Sequence, residues 1–334
     1  MRGFVKIRKA AFFLLQMLFK SEKTCYNRDM KDRKTNTNEG FLSSLIGEKT
    51  PSKRAGLIYT VAALAIFAVS FLFLFLPATE GETPEWKLYL NFLGAPLAFL
   101  FVVLWYFIDT KTPVKDFIKE QNCHPKYYLI AIILQVGLFG LSELNVLFLS
   151  FLEKFGYVDT GIDLPSMEGF GFVGVFLTVA ILPAFMEELV FRGVFLRETK
   201  DFSLVGRVLL CGALFALYHQ NPAQTIYQFI CGAAFALVAI KSGSFLPTAL
   251  SHLINNGLIL TLAKFGIDSF NMPAYAIILA VSGVCLVGSL IYLLAFDRKE
   301  EEKGKGSYKQ FFACAAIGIF MLLLSWSAML LTGF

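Results

Sequence analysis

The stretch "GLIYTVAALAIFAVSFLFLFLP", residues 56–77, carries no charged side chain over 22 positions, and the chain contains several runs of this kind. A run of about 20 apolar residues matches the ~30 Å hydrocarbon thickness of a bilayer when it is helical. Lipid offers the backbone no hydrogen bonds, so only helices or closed barrels can cross it, and uninterrupted apolar runs are helical. The expected fold is therefore all-α: a polytopic membrane bundle of about nine transmembrane helices, near 57–76, 88–108, 127–149, 171–196, 204–220, 223–240, 245–263, 274–296 and 311–331. Composition agrees. Hydrophobic residues make up 56% of the chain, charged residues 16%, and 36 of 334 residues are Phe, more apolar material than a water-soluble core consumes.

Charge in the connections gives an expected orientation, because Lys and Arg stay on the cytoplasmic side. The first 54 residues hold 13 basic side chains, and 109–126 holds four lysines. Connections 77–87 and 150–170 are acidic. Arg197, Lys200, Arg207 and Lys241 follow, then "DRKEEEKGKGSYK". The alternation fits nine crossings with the N-terminus in the cytoplasm. The net charge of +5 is then a topology signal and excludes nothing but the need for a nucleic-acid partner. Two divisions are expected: a basic arm, 1–54, and an integral membrane domain, 55–334. Within the arm, "AAFFLLQMLF" is too short to span, and no small-x-small cleavage site follows it, so an interfacial helix fits better than a removed signal peptide. The six cysteines form no CxxC pair and read as small apolar residues. The Phe- and Lys-rich make-up points to a bacterial plasma membrane.

Against this background "FMEELVFRG" is anomalous, since an ionisable group inside a span costs about 2.5–3.5 kcal/mol on insertion scales. Glu188 and Arg192 are four apart, share a helix face and can pair. Glu187 points about 100° away and is left as the reactive carboxylate. A plain helix clamp made of all three is the alternative. The chain has three histidines. His219 closes the fifth run, four residues after Phe215, and His252 lies in the seventh, four before Asn256. Measured from the expected cytoplasmic ends at ~1.5 Å per residue, Glu187 and His252 lie about 12–13 Å deep and His219 and Asn256 about 18 Å. The four can meet in one layer.

A carboxylate beside an imidazole can activate water, and a second imidazole with an amide donor can stabilise an oxyanion. This combination suits peptide-bond hydrolysis without a covalent intermediate. Zinc held by Glu187, His219 and His252 is the competing reading. Asn256, a poor zinc ligand, and the missing HExxH spacing favour a metal-free site. Ser251 points away from His252, and "QNPAQ" and "SGSFLP" are either irregular backbone lining a wet cavity or ordinary turns.

The three spacings resemble the motifs EExxxR, FxxxH and HxxxN of the CAAX protease and bacteriocin-processing family of intramembrane endopeptidases. Here they read "EELVFR" (Glu187, Glu188, Arg192), "FALYH" (Phe215, His219) and "HLINN" (His252, Asn256), within about 171–262. The resemblance implies catalytic roles for Glu187 and His219 on a water and for His252 and Asn256 at an oxyanion. It implies a supporting role for Glu188 and Arg192, with Phe215 the leading residue of its motif. It also implies a membrane-associated peptide or protein substrate, whether a prenylated tail or a bacterial peptide. Two further readings are a non-catalytic immunity or scaffold protein of the same fold and a transporter. The second would require matching halves, and none is visible.

Overall fold

A computed structural model describes residues 50–73, 75–76, 83–158, 163–267, 270–297 and 306–333. Most of the basic arm, with its short apolar run and Cys25, lies outside them, as do parts of connections 77–87 and 150–170 and of the charged stretch before Ser307. The described residues form ten helices and no strand. They are α1 (Pro51–Phe73), α2 (Glu85–Thr110), the short α3 (Val114–Glu120), α4 (Lys126–Glu153), α5 (Gly171–Glu198), α6 (Leu204–Tyr218), α7 (Pro222–Ser242), α8 (Leu246–Lys264), α9 (Met272–Phe296) and α10 (Tyr308–Thr332).

The bundle is polytopic and helical, but only seven helices are long and apolar enough to cross a bilayer unaided: α1, α2, α4, α5, α7, α9 and α10. The two remaining expected spans are helices at their expected places, yet each falls short. α6 has 15 residues. α8 has 19, but Thr248, Ser251, His252, Asn255 and Asn256 dilute its apolar character. His219 caps the end of α6 and His252 lies within α8, so both helices that fall short belong to the candidate site. α1 begins at Pro51, four residues before the expected start of the membrane domain.

α1 packs along α10, α6 along α7, and α4 along α9, while α8 lies between α4 and α5. The α6–α7 pair approaches closely because two glycines face each other. A Cβ on Gly212 would sit 2.8 Å from the Phe229 carbonyl oxygen, and one on Gly232 3.0 Å from the Gly212 Cα. Phe99, Phe191, Phe195, Phe215 and Phe311 fill the space around α5, each at most 1% exposed. Phe191 and Phe215 meet edge to face at 5.2 Å, the arrangement that aromatic quadrupoles favour.

The irregular stretches between the later helices are ordinary turns rather than broken spans. In "QNPAQ", Gln220 takes a left-handed conformation and the Asn221 side chain accepts from the Ala223 amide. In "SGSFLP", Gly243 at φ 75° closes α7, and Pro247 sits in the first turn of α8. The irregularity lies inside α5 instead. It is continuous, but wide π turns at Phe176–Ile181 and Leu189–Phe195 flank the regular piece Leu182–Glu188. Such turns recur at functional sites.

Candidate active site

Glu187 and Glu188 lie at the end of the regular piece of α5, and its following π turn delivers Arg192. Arg192 Nη1 donates to Glu188 Oε1 at 2.8 Å, and neither side chain has any solvent exposure. Arg192 Nη2 donates to the Gly232 carbonyl oxygen on α7 at 3.0 Å. Its guanidinium also lies 4.2 Å from the centroid of the Phe215 ring on α6, within cation–π range. The ion pair therefore ties three helices together.

His252, on α8, donates from Nδ1 to Glu188 Oε1 at 3.1 Å. Glu188 thus serves both Arg192 and His252, a contact that the i, i+4 spacing did not reveal. His219, at the end of α6, donates from Nδ1 to the Phe215 carbonyl oxygen at 2.8 Å. Both Nδ1 partners are pure acceptors, so both Nδ1 atoms carry the hydrogen, and in the neutral ring Nε2 holds the lone pair. The two Nε2 atoms turn to one point. Glu187 Oε2 lies 3.8 Å from that of His219 and 4.0 Å from that of His252. Glu187 Oε2 is buried and has no hydrogen-bond partner among the described residues.

Phe215 is the hub of this arrangement. Its ring meets His219 edge-on at 4.6 Å and His252 at 6.0 Å, while Arg192 covers it from another side. Asn256 is one turn beyond His252. Its Nδ2 faces the Val179 carbonyl oxygen of α5 at 3.5 Å, and its Oδ1 accepts from Asn255 Nδ2 at 3.2 Å. Ser251 turns away, with its Oγ 3.1 Å from both the Ala131 carbonyl oxygen and Gln135 Oε1 on α4.

Six of the seven residues singled out by spacing, Glu187, Glu188, Arg192, Phe215, His219 and His252, converge in space from α5, α6 and α8, while Asn256, one turn beyond His252, meets α5 at Val179. Three partners had no motif. The Gly232 carbonyl has no sequence signal, because any residue offers one. Gln135 and Tyr227 did carry a signal, a polar group within an apolar run, and they bond to Asn255 at 2.9 Å each. Tyr218, next to His219, buries its hydroxyl without a partner among the described residues.

Two ligands at ~2.0–2.1 Å from a tetrahedral zinc lie about 3.3 Å apart, shorter than the 3.8 and 4.0 Å here. Among the described residues no group of three or more His, Cys, Asp or Glu side chains could hold a metal ion. The five described cysteines are free thiols, and Cys211 and Cys231 are buried.

Residues 169–258 match the family model described as Rce1-like, type II CAAX prenyl endopeptidase Rce1-like. This segment is similar to the Rce1-like family. It runs from the residues just before α5 into α8 and so contains every side chain of the converging cluster. The Rce1-like segment covers under a third of the chain, close to the 171–262 delimited by the three motifs. No curated protein and no solved structure matches the chain.

Proposed function

We propose that this multi-pass membrane protein is an intramembrane endopeptidase that hydrolyses a peptide bond of a membrane-associated peptide or protein. One observation carries the reading. A buried, unpartnered carboxylate oxygen of Glu187 faces two imidazole Nε2 atoms whose tautomers are set from behind. At 3.8 Å, Glu187 Oε2 and His219 Nε2 are too far apart to bond directly but close enough for one water ~2.8 Å from each, which is the reach a general base needs. Glu187 takes one water proton as the oxygen attacks the scissile carbonyl, while His219 Nε2 accepts the water's other hydrogen bond and orients it. Glu187 then returns it to the departing amine.

The oxyanion falls to His252 and Asn256. To donate there, Nε2 of His252 must carry a proton, and Glu188, bonded to its Nδ1, supplies the countercharge. Asn256 contributes an Nδ2 hydrogen. One such donor is worth about 10²–10³ in kcat. No metal enters this scheme, and the donor separations support leaving it out. The family description names a CAAX prenyl endopeptidase, so a lipidated C-terminal tail is the first substrate class to test.

The test compares peptide termini in membranes of cells carrying the wild type or Glu187→Gln at matched expression. Termini dependent on Glu187 establish hydrolysis and identify the substrate; they are expected to persist in purified vesicles with EDTA or phenanthroline. Identical termini, with the variant folded, would leave a non-catalytic scaffold.

A further inference from the structure

A carboxamide has nearly the same shape either way round, so packing does not distinguish its oxygen from its NH2 and only its partners set the orientation. An oxyanion donor must present NH2. In Asn256 the choice is governed by a line of buried polar side chains across three helices. Gln135 Nε2 on α4 and the Tyr227 hydroxyl on α7 both donate to Asn255 Oδ1, each at 2.9 Å. Asn255 Nδ2 then donates to Asn256 Oδ1 at 3.2 Å, and Asn256 Nδ2 faces the Val179 carbonyl oxygen at 3.5 Å. Gln135, Tyr227 and Asn255 are all less than a tenth exposed, so water does not compete.

The line has a direction, and its two ends do not fix it equally. At the Ser251 end a hydroxyl can donate or accept, so either sense is satisfied. At the other end the Val179 carbonyl can only accept. Its ordinary α-helical donor would be the N–H of residue 183, and residue 183 is a proline, which has none. Reversing the line would set Asn256 Oδ1 against that carbonyl, acceptor on acceptor.

We infer that Gln135, Tyr227 and Asn255 are positioning residues that hold the Asn256 amide with its NH2 toward the reacting carbonyl, the sense being fixed by the Val179 carbonyl that Pro183 leaves without an α-helical donor. This rests on the oxyanion role proposed for Asn256. The line acts through Asn256 alone, so its removal lowers the rate only while Asn256 is present.

The experiment measures kcat and KM in reconstituted vesicles for cleavage of the peptide identified by its Glu187-dependent terminus. The variants are Asn256→Ala, Asn255→Leu, Tyr227→Phe and the double Asn255→Leu/Asn256→Ala, each with its unfolding temperature. Asn256→Ala is expected to lower kcat about 10²–10³-fold. Asn255→Leu should lower kcat roughly tenfold with KM unchanged, and Tyr227→Phe a few-fold. On the Asn256→Ala background, Asn255→Leu should cost under about twofold, the non-additivity of residues acting as one unit. Equal losses on both backgrounds would show a merely structural role and overturn the inference while leaving the oxyanion reading intact. An unchanged kcat in Asn256→Ala would sink the oxyanion reading, and this inference with it. Should Asn255→Leu not fold, Tyr227→Phe decides in the same way, measured with and without Asn256→Ala.

Discussion

Glu188 and Arg192 have no solvent exposure and spend their charge on each other, on His252 and on the Gly232 carbonyl. A buried pair of this kind is costly to break from one side, because the survivor is left desolvated and uncompensated. Glu188→Gln is therefore expected to destabilise the protein by about 3–5 kcal/mol, read as a fall in denaturant midpoint in detergent. Glu187→Gln should leave that midpoint within about 0.5 kcal/mol, since Oε2 of Glu187 bonds to no described group. Two adjacent glutamates are thus separable by stability alone: one holds the helices, and the other is the proposed base. Their different surroundings were legible from spacing, because neighbours on a helix point about 100° apart. That Glu188 also holds His252 was not, since nothing in one helix's sequence says which group on another helix meets it.

At the level of helices, the site depends on how closely α6 and α7 approach. The Gly212–Gly232 contact brings the Gly232 carbonyl to Arg192 and sets the end of α6 where His219 sits. Gly212→Val places branched carbon against the Phe229 carbonyl and is expected to cost about 1–3 kcal/mol of stability. Cleavage should fall by more than that loss explains, as His219 moves from Glu187; activity assayed well below the unfolding temperature separates the two. The helices themselves were readable from apolar run length, and the motifs from charge placed where lipid forbids it. The π turns of α5 were not, because a proline such as Pro183 says that a hydrogen bond is missing and not how the helix widens around it. The two loop sequences with Pro and Gly left breaks at depth and ordinary turns both open, since those residues serve both purposes, and they are turns.

For the molecule as a whole, nine helices at the nine expected positions predict a sidedness that can be measured. Single cysteines at residues 112, 201 and 243, in a background without native cysteines, should all react with an impermeant maleimide from one face of sealed vesicles. Cysteines at 221 and 266 should react from the other. Labelling of 201 and 221 from the same face would show that α6 does not cross. Membrane character and fold class were written in composition and run length; of the nine expected spans, seven form helices long and apolar enough to cross unaided, while α6 is shorter and α8 carries polar groups of the candidate site. This has a consequence for synthesis. α6 and α8 bring both histidines and Asn256, yet neither is long or apolar enough to leave the insertion machinery for lipid unaided. Each leans on packed neighbours, α6 on α7, and α8 on α4 and α5. The two glutamates thus ride on a helix that can cross unaided, and the histidines and Asn256 on helices that need company, so the cluster is completed only when the bundle packs.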